Sequence, residues 1–164
     1  MSEPRMFTQG QLTIFISMIL REFDMTLAGA NAVQLMIGTA AVESRMGYYR
    51  RQLGNGPARG IYQMEPATER DIWQNWIRFQ SGMGDKIKEI TGVGAADPIA
   101  LEKNLSYQTV MSRLHYRRVR APLPQYNDIK AQAEYWKKYY NTYLGKGTPE
   151  KYIECWERFV IRTR

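Results

Sequence analysis

The sequence predicts an all-α fold with little or no β structure, and three observations carry that expectation. Apolar residues recur at helical spacing over most of the chain. Several of these runs open on a capping signal: Thr8 before an apolar stretch, Asp97 followed by Pro98, and Thr148 followed by Pro149. Glycine-rich stretches separate the runs, and no repeat, low-complexity tract, heptad or linker divides the chain.

The first helix follows Thr8-Gln9-Gly10-Gln11, which has the form of a capping box ahead of the apolar run over residues 12–20. That run is too short to span a bilayer, so membrane insertion is not expected. The residues before it lack the basic start and small-residue cleavage site of a secretory signal. A second helix over residues 32–46 places Val33, Met36, Ile37, Ala40 and Ala41 at helical spacing, widened by Leu35, Val42 and Met46. A helix so apolar belongs at the centre, and Gly47 is the expected left-handed residue that closes it. Residues 67–79 read as a third helix with Ile72, Trp76 and Phe79 facing one way. Gly82, Gly84, Gly92 and Gly94 predict a loop-rich connection to a helix over residues 97–118, capped by Asp97 with Pro98 in its first turn. Residues 127–143 form another helix. The last runs from Thr148-Pro149 to Val160 or beyond, and residues 54–60 mark a glycine-rich turn.

At 164 residues the chain fits one domain over 1–164 with a real core, and its four tryptophans and eleven tyrosines exclude a disordered tail. Cys155 is the lone cysteine, which excludes an intramolecular disulfide and a thiolate metal site. His115 is the single histidine, too few for a histidine zinc centre, and the arginines around it favour its neutral form without naming a nucleophile. Neither a metal nor an organic cofactor is expected. The net charge of +7 calls for an anionic partner, met equally by bacterial cell wall and by nucleic acid. Arg113, Arg117, Arg118 and Arg120, with Tyr116 to stack, are the nucleic-acid candidates. They also read as the basic end of a helix running into Ala121-Pro122-Leu123-Pro124, so no nucleic-acid partner is expected.

The chemistry concentrates at Glu43. It falls in the last turn of the second helix, where the helix dipole disfavours negative charge, and burial in so apolar a helix acts in the same direction. A carboxyl lifted toward ~6 can donate a proton to a leaving oxygen near neutral pH, as glycosidic cleavage demands. The alternative is an ion pair at a helix end with Arg45 or Arg50. Glu65, Glu69 and Asp71 follow the glycine-rich turn and read as solvated or helix N-terminal charges, leaving no assigned second carboxylate.

Glu43-Ser44 is followed by Gly60-Ile61-Tyr62-Gln63 with Pro66 and Thr68, then Asp97-Pro98 with Asn104 and Leu114, then Tyr139-Tyr140-Asn141-Thr142 with Gly145 and Tyr152. In this order the motifs resemble those of the lytic transglycosylase and goose-type lysozyme superfamily, closest to a phage-type branch. The matches are the catalytic Glu-Ser, Gly-Leu-Met-Gln, an asparagine-bearing helix and Ala-Tyr-Asn-Ala-Gly. They span residues 38–152. Ile61-Tyr62 in place of Leu-Met, and Thr142-Tyr143 in place of small residues, depart from the pattern and bear on the sugar subsites.

The resemblance implies a lysozyme-like fold that cleaves the bond between N-acetylmuramic acid and N-acetylglucosamine in peptidoglycan. Glu43 would be the single acid and base, and Tyr140 would hydrogen-bond it. Ser44, Tyr62, Gln63 and Asn141 would contact the sugars, since hydroxyls and amides suit an acetamido group. The partners implied are glycan strands and phage virion or tail proteins. The place of action implied is the host wall, reached from the virion or from the host cytoplasm. A noncatalytic wall-binding or virion module, and a basic nucleic-acid-binding protein, are the competing classes.

Overall fold

In the computed structural model, which describes residues 6–142 and 144–161, helix is the only regular element of any length. Helix α1 (Gln9–Phe23) starts at Thr8, whose hydroxyl accepts the Gln11 N–H while the Gln11 side chain accepts the Thr8 N–H. This is the capping box expected from the sequence, and it satisfies two donors that the helix would otherwise leave orphaned.

Helix α2 (Ala30–Ser44) is central, as its composition requires, and packs against α1 and the later helices α6 (Leu105–Arg117), α7 (Ile129–Trp136) and α8 (Pro149–Cys155). Leu35, Met36, Ile37 and Ala40 are buried on successive faces, and each large side chain of this kind contributes roughly 1.5–3 kcal/mol by leaving water. A Cβ at Gly38 would run into the Tyr152 hydroxyl, so the missing side chain lets α8 approach. The helix closes earlier than the sequence suggests. Arg45 and Met46 are already left-handed, with φ of 52° and 59°, before Gly47 at 88°. The Met46 side chain is drawn fully into the core and its N–H reaches back to the Ala40 carbonyl.

The third helix, α3 (Pro66–Asn75), is also shorter than expected. It breaks at Trp76 and passes into a 3-10 turn over Ile77–Phe79. The break turns Ile77 inward and leaves Phe79 69% exposed, so Ile72, Trp76 and Phe79 do not share a face. The glycine-rich connection is a helix, α4 (Met83–Thr91), with left-handed Gly82 and Gly92 at its two ends and Ile87 buried. Glycine here marks helix ends, not a loop.

The helix expected over residues 97–118 is two, α5 (Pro98–Lys103) and α6 (Leu105–Arg117). Asn104 separates them: its Oδ1 accepts the Tyr107 N–H and caps α6, while its Nδ2 donates to the Thr91 carbonyl and ties the junction to α4. Helix α7 (Ile129–Trp136) is capped by Asp128, because Asn127 is left-handed and donates its N–H to Gln34. It continues as a π-helical turn over Lys137–Asn141, and the expected end at Tyr143 lies outside the described residues. Helix α8 (Pro149–Cys155) is capped by Thr148 and continues as a second π-helical turn over Trp156–Ile161.

Two apolar clusters form the interior, and α1 and α6 contribute to both. Among the described residues, extended pairing is limited to the bridges Arg51–Arg59 and Arg59–Met64 around the glycine-rich turn. No described helix is long and apolar enough to cross a membrane.

Candidate active site

The end of α2, the glycine-rich turn, the π-helical turn after α7 and one side of α8 enclose a cavity of about 800 Å3. Glu43, Gln63, Tyr140 and Asn141 line it, together with His115 and Trp136. These residues are far apart in sequence. The helix ends that meet at α2 bring them together.

Glu43 occupies the last turn of α2, and its carboxyl is enclosed by protein while part of the side chain faces the cavity. The Trp136 indole N–H donates to Oε1 at 3.0 Å, so Oε2 is the oxygen left for a proton. Burial pushes the Glu43 carboxyl up to about 8, and the Trp136 hydrogen bond is the opposing influence. Glu43 has no place among the ion pairs of the described residues. Neither partner of the ion-pair alternative, Arg45 or Arg50, is among those pairs, and Arg45 instead lies over the Tyr49 and Phe159 rings at 5.3 and 5.7 Å. A neutral carboxylic acid at physiological pH, facing an open cavity, can serve as a proton donor.

Tyr140 lines the same cavity but does not hydrogen-bond Glu43. Its hydroxyl donates to the Tyr62 carbonyl at 2.7 Å and accepts from the Ser112 hydroxyl at 3.1 Å. Its ring stacks on Tyr116 and meets the edge of His115 at 5.0 Å. Burial and the nearby Glu43 both raise the Tyr140 phenol, which stays neutral. The hydrogen-bond partner of the acid is therefore Trp136, one helical turn before Tyr140 and on the same face. That four-residue spacing was present in the sequence and could have pointed to it.

Two of the expected sugar contacts are turned inward. Ser44 is fully buried; its hydroxyl lies 2.6 Å from the Ile61 carbonyl and 3.1 Å from that of Ala40, and accepts the Gly47 N–H. Nothing of it is left for a ligand, and it instead ties α2 to the glycine-rich turn. Tyr62 is 1% exposed and its hydroxyl pairs with Thr109 at 2.9 Å. The turn forces this: Gly60 and Gln63 are left-handed, with φ of 80° and 49°, and Ile61 and Tyr62 between them point into the core. Only the Tyr62 carbonyl serves the site, by holding Tyr140. Gln63 and Asn141 do reach the cavity wall. Gln63 donates Nε2 to the Gly60 carbonyl, which leaves its oxygen, while Asn141 accepts from Lys137 Nζ with its oxygen, which leaves its amide hydrogens.

His115 escaped the sequence reading as a wall residue because its neighbours in the chain are arginines. Burial, with Arg118 second, pushes its imidazole down to about 3, and the Arg118 guanidinium lies 3.2 Å from Nδ1. It contributes a neutral ring beneath Tyr140. Of the arginine cluster, Arg113 is buried and donates to the Leu27 carbonyl, and Arg118 pairs with Asp71 at 2.7 Å. The continuous exposed basic face that nucleic-acid binding needs is thereby broken.

The three later carboxylates also separate. Glu65 is exposed and lines the cavity, whereas Asp71 belongs to the Arg118 pair. Glu69 does take the helix N-terminal place, in the first turn of α3, but it is not solvated: it is fully buried and accepts from the Tyr107 hydroxyl and the Asp97 N–H, beside the second apolar cluster. No group of three or more histidine, cysteine or acidic residues suited to a metal occurs among the described residues.

Trp136→Phe isolates the indole donor. With that hydrogen bond gone, nothing opposes burial, so the titration of Glu43 moves above 8. The expected result is an alkaline limb of the pH–rate profile displaced to higher pH, with a turnover loss of about tenfold as the carboxyl loses its orientation. An unchanged limb would remove Trp136 from the site.

No protein-family model matches the chain, and the curated proteins and solved structures compared with it gave no match.

Proposed function

We propose that this protein is a peptidoglycan-cleaving enzyme, a lytic transglycosylase or lysozyme, that breaks the β-1,4 bond between N-acetylmuramic acid and N-acetylglucosamine with Glu43 as its acid. One observation carries the reading: the Glu43 carboxyl, pushed up to about 8 by burial and outside the ion pairs of the described residues, lies on the wall of a cavity of ordinary ligand-site size. The order of the motifs from Glu43-Ser44 to Tyr140-Asn141 supports the same assignment.

In this mechanism the Glu43 Oε2 proton passes to the glycosidic oxygen as the bond to the anomeric carbon breaks. The resulting carboxylate then takes a proton from the attacking hydroxyl. If that is the sugar's own 6-hydroxyl the product is a 1,6-anhydro sugar; if it is water, a reducing end. Trp136 holds Oε1 throughout, and the free amide groups of Gln63 and Asn141 suit an acetamido substituent. The resemblance further suggests a phage enzyme, acting on the host wall from the virion or after release from the cytoplasm.

Mass spectrometry of purified peptidoglycan after incubation with the protein tests this directly. Soluble muropeptides are expected, and their anhydro or reducing ends identify the attacking group. Intact walls, combined with tight and steeply salt-dependent binding to duplex DNA, would overturn the proposal in favour of a nucleic-acid role.

A further inference from the structure

The charges around the cavity are unevenly placed. Its described lining holds four cations, Arg45, Lys146, Lys151 and Arg158, and only two carboxylates, Glu43 and Glu65. All four cations come from the end of α2 and from the α8 side, while the glycine-rich turn and the start of α3 contribute Gln63, Glu65 and Thr68 to the other wall. With Glu43 protonated, Glu65 on the opposite wall is the one carboxylate left in the described lining, and the α8 side carries the excess of positive charge.

The basic wall is attached to the acid. Lys137 Nζ donates to the Asn141 oxygen and to the Gly145 carbonyl, both at 2.8 Å, which fastens the loop carrying Lys146. A Cβ on Gly147 would collide with the Trp136 ring, so this loop lies directly against the indole that holds Glu43. Arg45 follows Glu43 by two residues and is held over the Tyr49 and Phe159 rings. Lys151 has one exposed partner, Glu154 at 3.4 Å, a pairing too solvated to cancel its field.

From this geometry we infer that the α8 wall, built on Arg45, Lys146 and Lys151, is a subsite for the carboxylates of the substrate, so that the enzyme selects an acidic glycan over a neutral one. The inference rests on the glycosidase reading and narrows it. A neutral N-acetylglucosamine polymer offers this wall nothing, whereas the stem-peptide carboxylates of peptidoglycan, or the lactyl carboxylate where the peptide has been removed, complement it. The wall also orients the chain, with acidic substituents toward α8 and the uncharged, acetamido-bearing edge toward Gln63 and Thr68.

The test compares native peptidoglycan with the same material after its carboxyl groups are converted to amides. The wild-type protein is expected to favour the native form by roughly tenfold in kcat/KM, with the preference shrinking as salt rises. Lys146→Glu with Lys151→Glu is expected to erase or invert that preference. Lys146→Gln with Lys151→Gln covers the case in which charge reversal impairs folding. Equal rates on the two substrates, or a preference that survives both pairs of substitutions, would overturn the inference. Calorimetric titration of Glu43→Gln with a muramyl dipeptide and with its amide reads the wall without turnover. A preference for the acid there, with the wild-type protein cleaving no glycan, would retain the carboxylate subsite and reject the glycosidase; cleavage by the wild type with no such preference would do the reverse.

Discussion

On the proposed glycosidase reading, Glu43→Gln is expected to abolish glycan cleavage, with turnover falling by roughly a thousandfold, the scale of a general acid and base. The variant should fold normally. Glutamine has the shape of the protonated acid, and its oxygen can still accept the Trp136 N–H that Oε1 accepts now. Soluble sugar release from peptidoglycan, measured beside the helical circular dichroism of the same preparation, checks both halves of the statement. Normal folding with full activity would move the proton donor elsewhere and end the assignment.

The same substitution also tests the protonation state without any substrate. In the fold the carboxyl titrates near 8, against an ordinary value of 4.5. Between those values the folded chain holds a proton that the unfolded chain has released. The contribution of this group to stability is therefore complete below about 4.5 and is lost as pH rises through 8. Glutamine does not titrate. Its unfolding free energy should match the wild type near pH 4 and exceed it by a margin that grows up to about pH 8 and then levels off, at about 2–4 kcal/mol once the cavity-facing side of the carboxyl is discounted for solvent screening. A constant difference across that range would mean that Glu43 is ionised in the folded protein, which no general acid can be.

What could be read from the sequence was local, and what could not depended on contacts between distant segments. Thr8, Asp97 and Thr148 cap the helices that their side chains predict, and the apolar composition of α2 does place it at the centre. Residues 97–118 carry an uninterrupted helical pattern, yet Asn104 breaks it, because its side chain satisfies both the Tyr107 N–H and the Thr91 carbonyl of a segment that the pattern cannot see. Gly82 and Gly92 are equally ambiguous, since a left-handed glycine ends a helix or forms a loop with the same chain geometry. At the site, the cavity positions of Glu43, Gln63, Tyr140 and Asn141 follow the motifs. Ser44 and Tyr62 do not, since their side chains satisfy partners in α2 and α6. The basic wall was invisible for a related reason: Arg45 and Lys146 are distant in the chain and come to line one cavity through the packing of α2 against α8.

Gly60→Ala should be strongly destabilising for so small a change. Gly60 has φ of 80°, a conformation that costs a residue with a Cβ roughly 1–2 kcal/mol. The added carbon would also collide with the Leu101 carbonyl oxygen, which is backbone and cannot swing aside, and with the Gln108 side chain. Relieving that overlap adds about 1–3 kcal/mol and disturbs the Gln108 oxygen that accepts the Ile61 N–H at 2.8 Å. Gly82→Ala provides the control: φ is 72°, with nothing within 4 Å of the added carbon, so only the backbone cost applies. Urea unfolding of the two variants should therefore place Gly60→Ala below Gly82→Ala by about 1–3 kcal/mol. The consequences for function should diverge further. Gly60 leads into Ile61 and Tyr62, and the Tyr62 carbonyl positions Tyr140 on the cavity wall. Turnover should thus fall in Gly60→Ala even where the variant remains folded, while Gly82→Ala keeps its rate. Equal stability of the two would mean that the turn can move away from α5 and α6, and the cavity would then not depend on the close approach of Gly60 to Leu101.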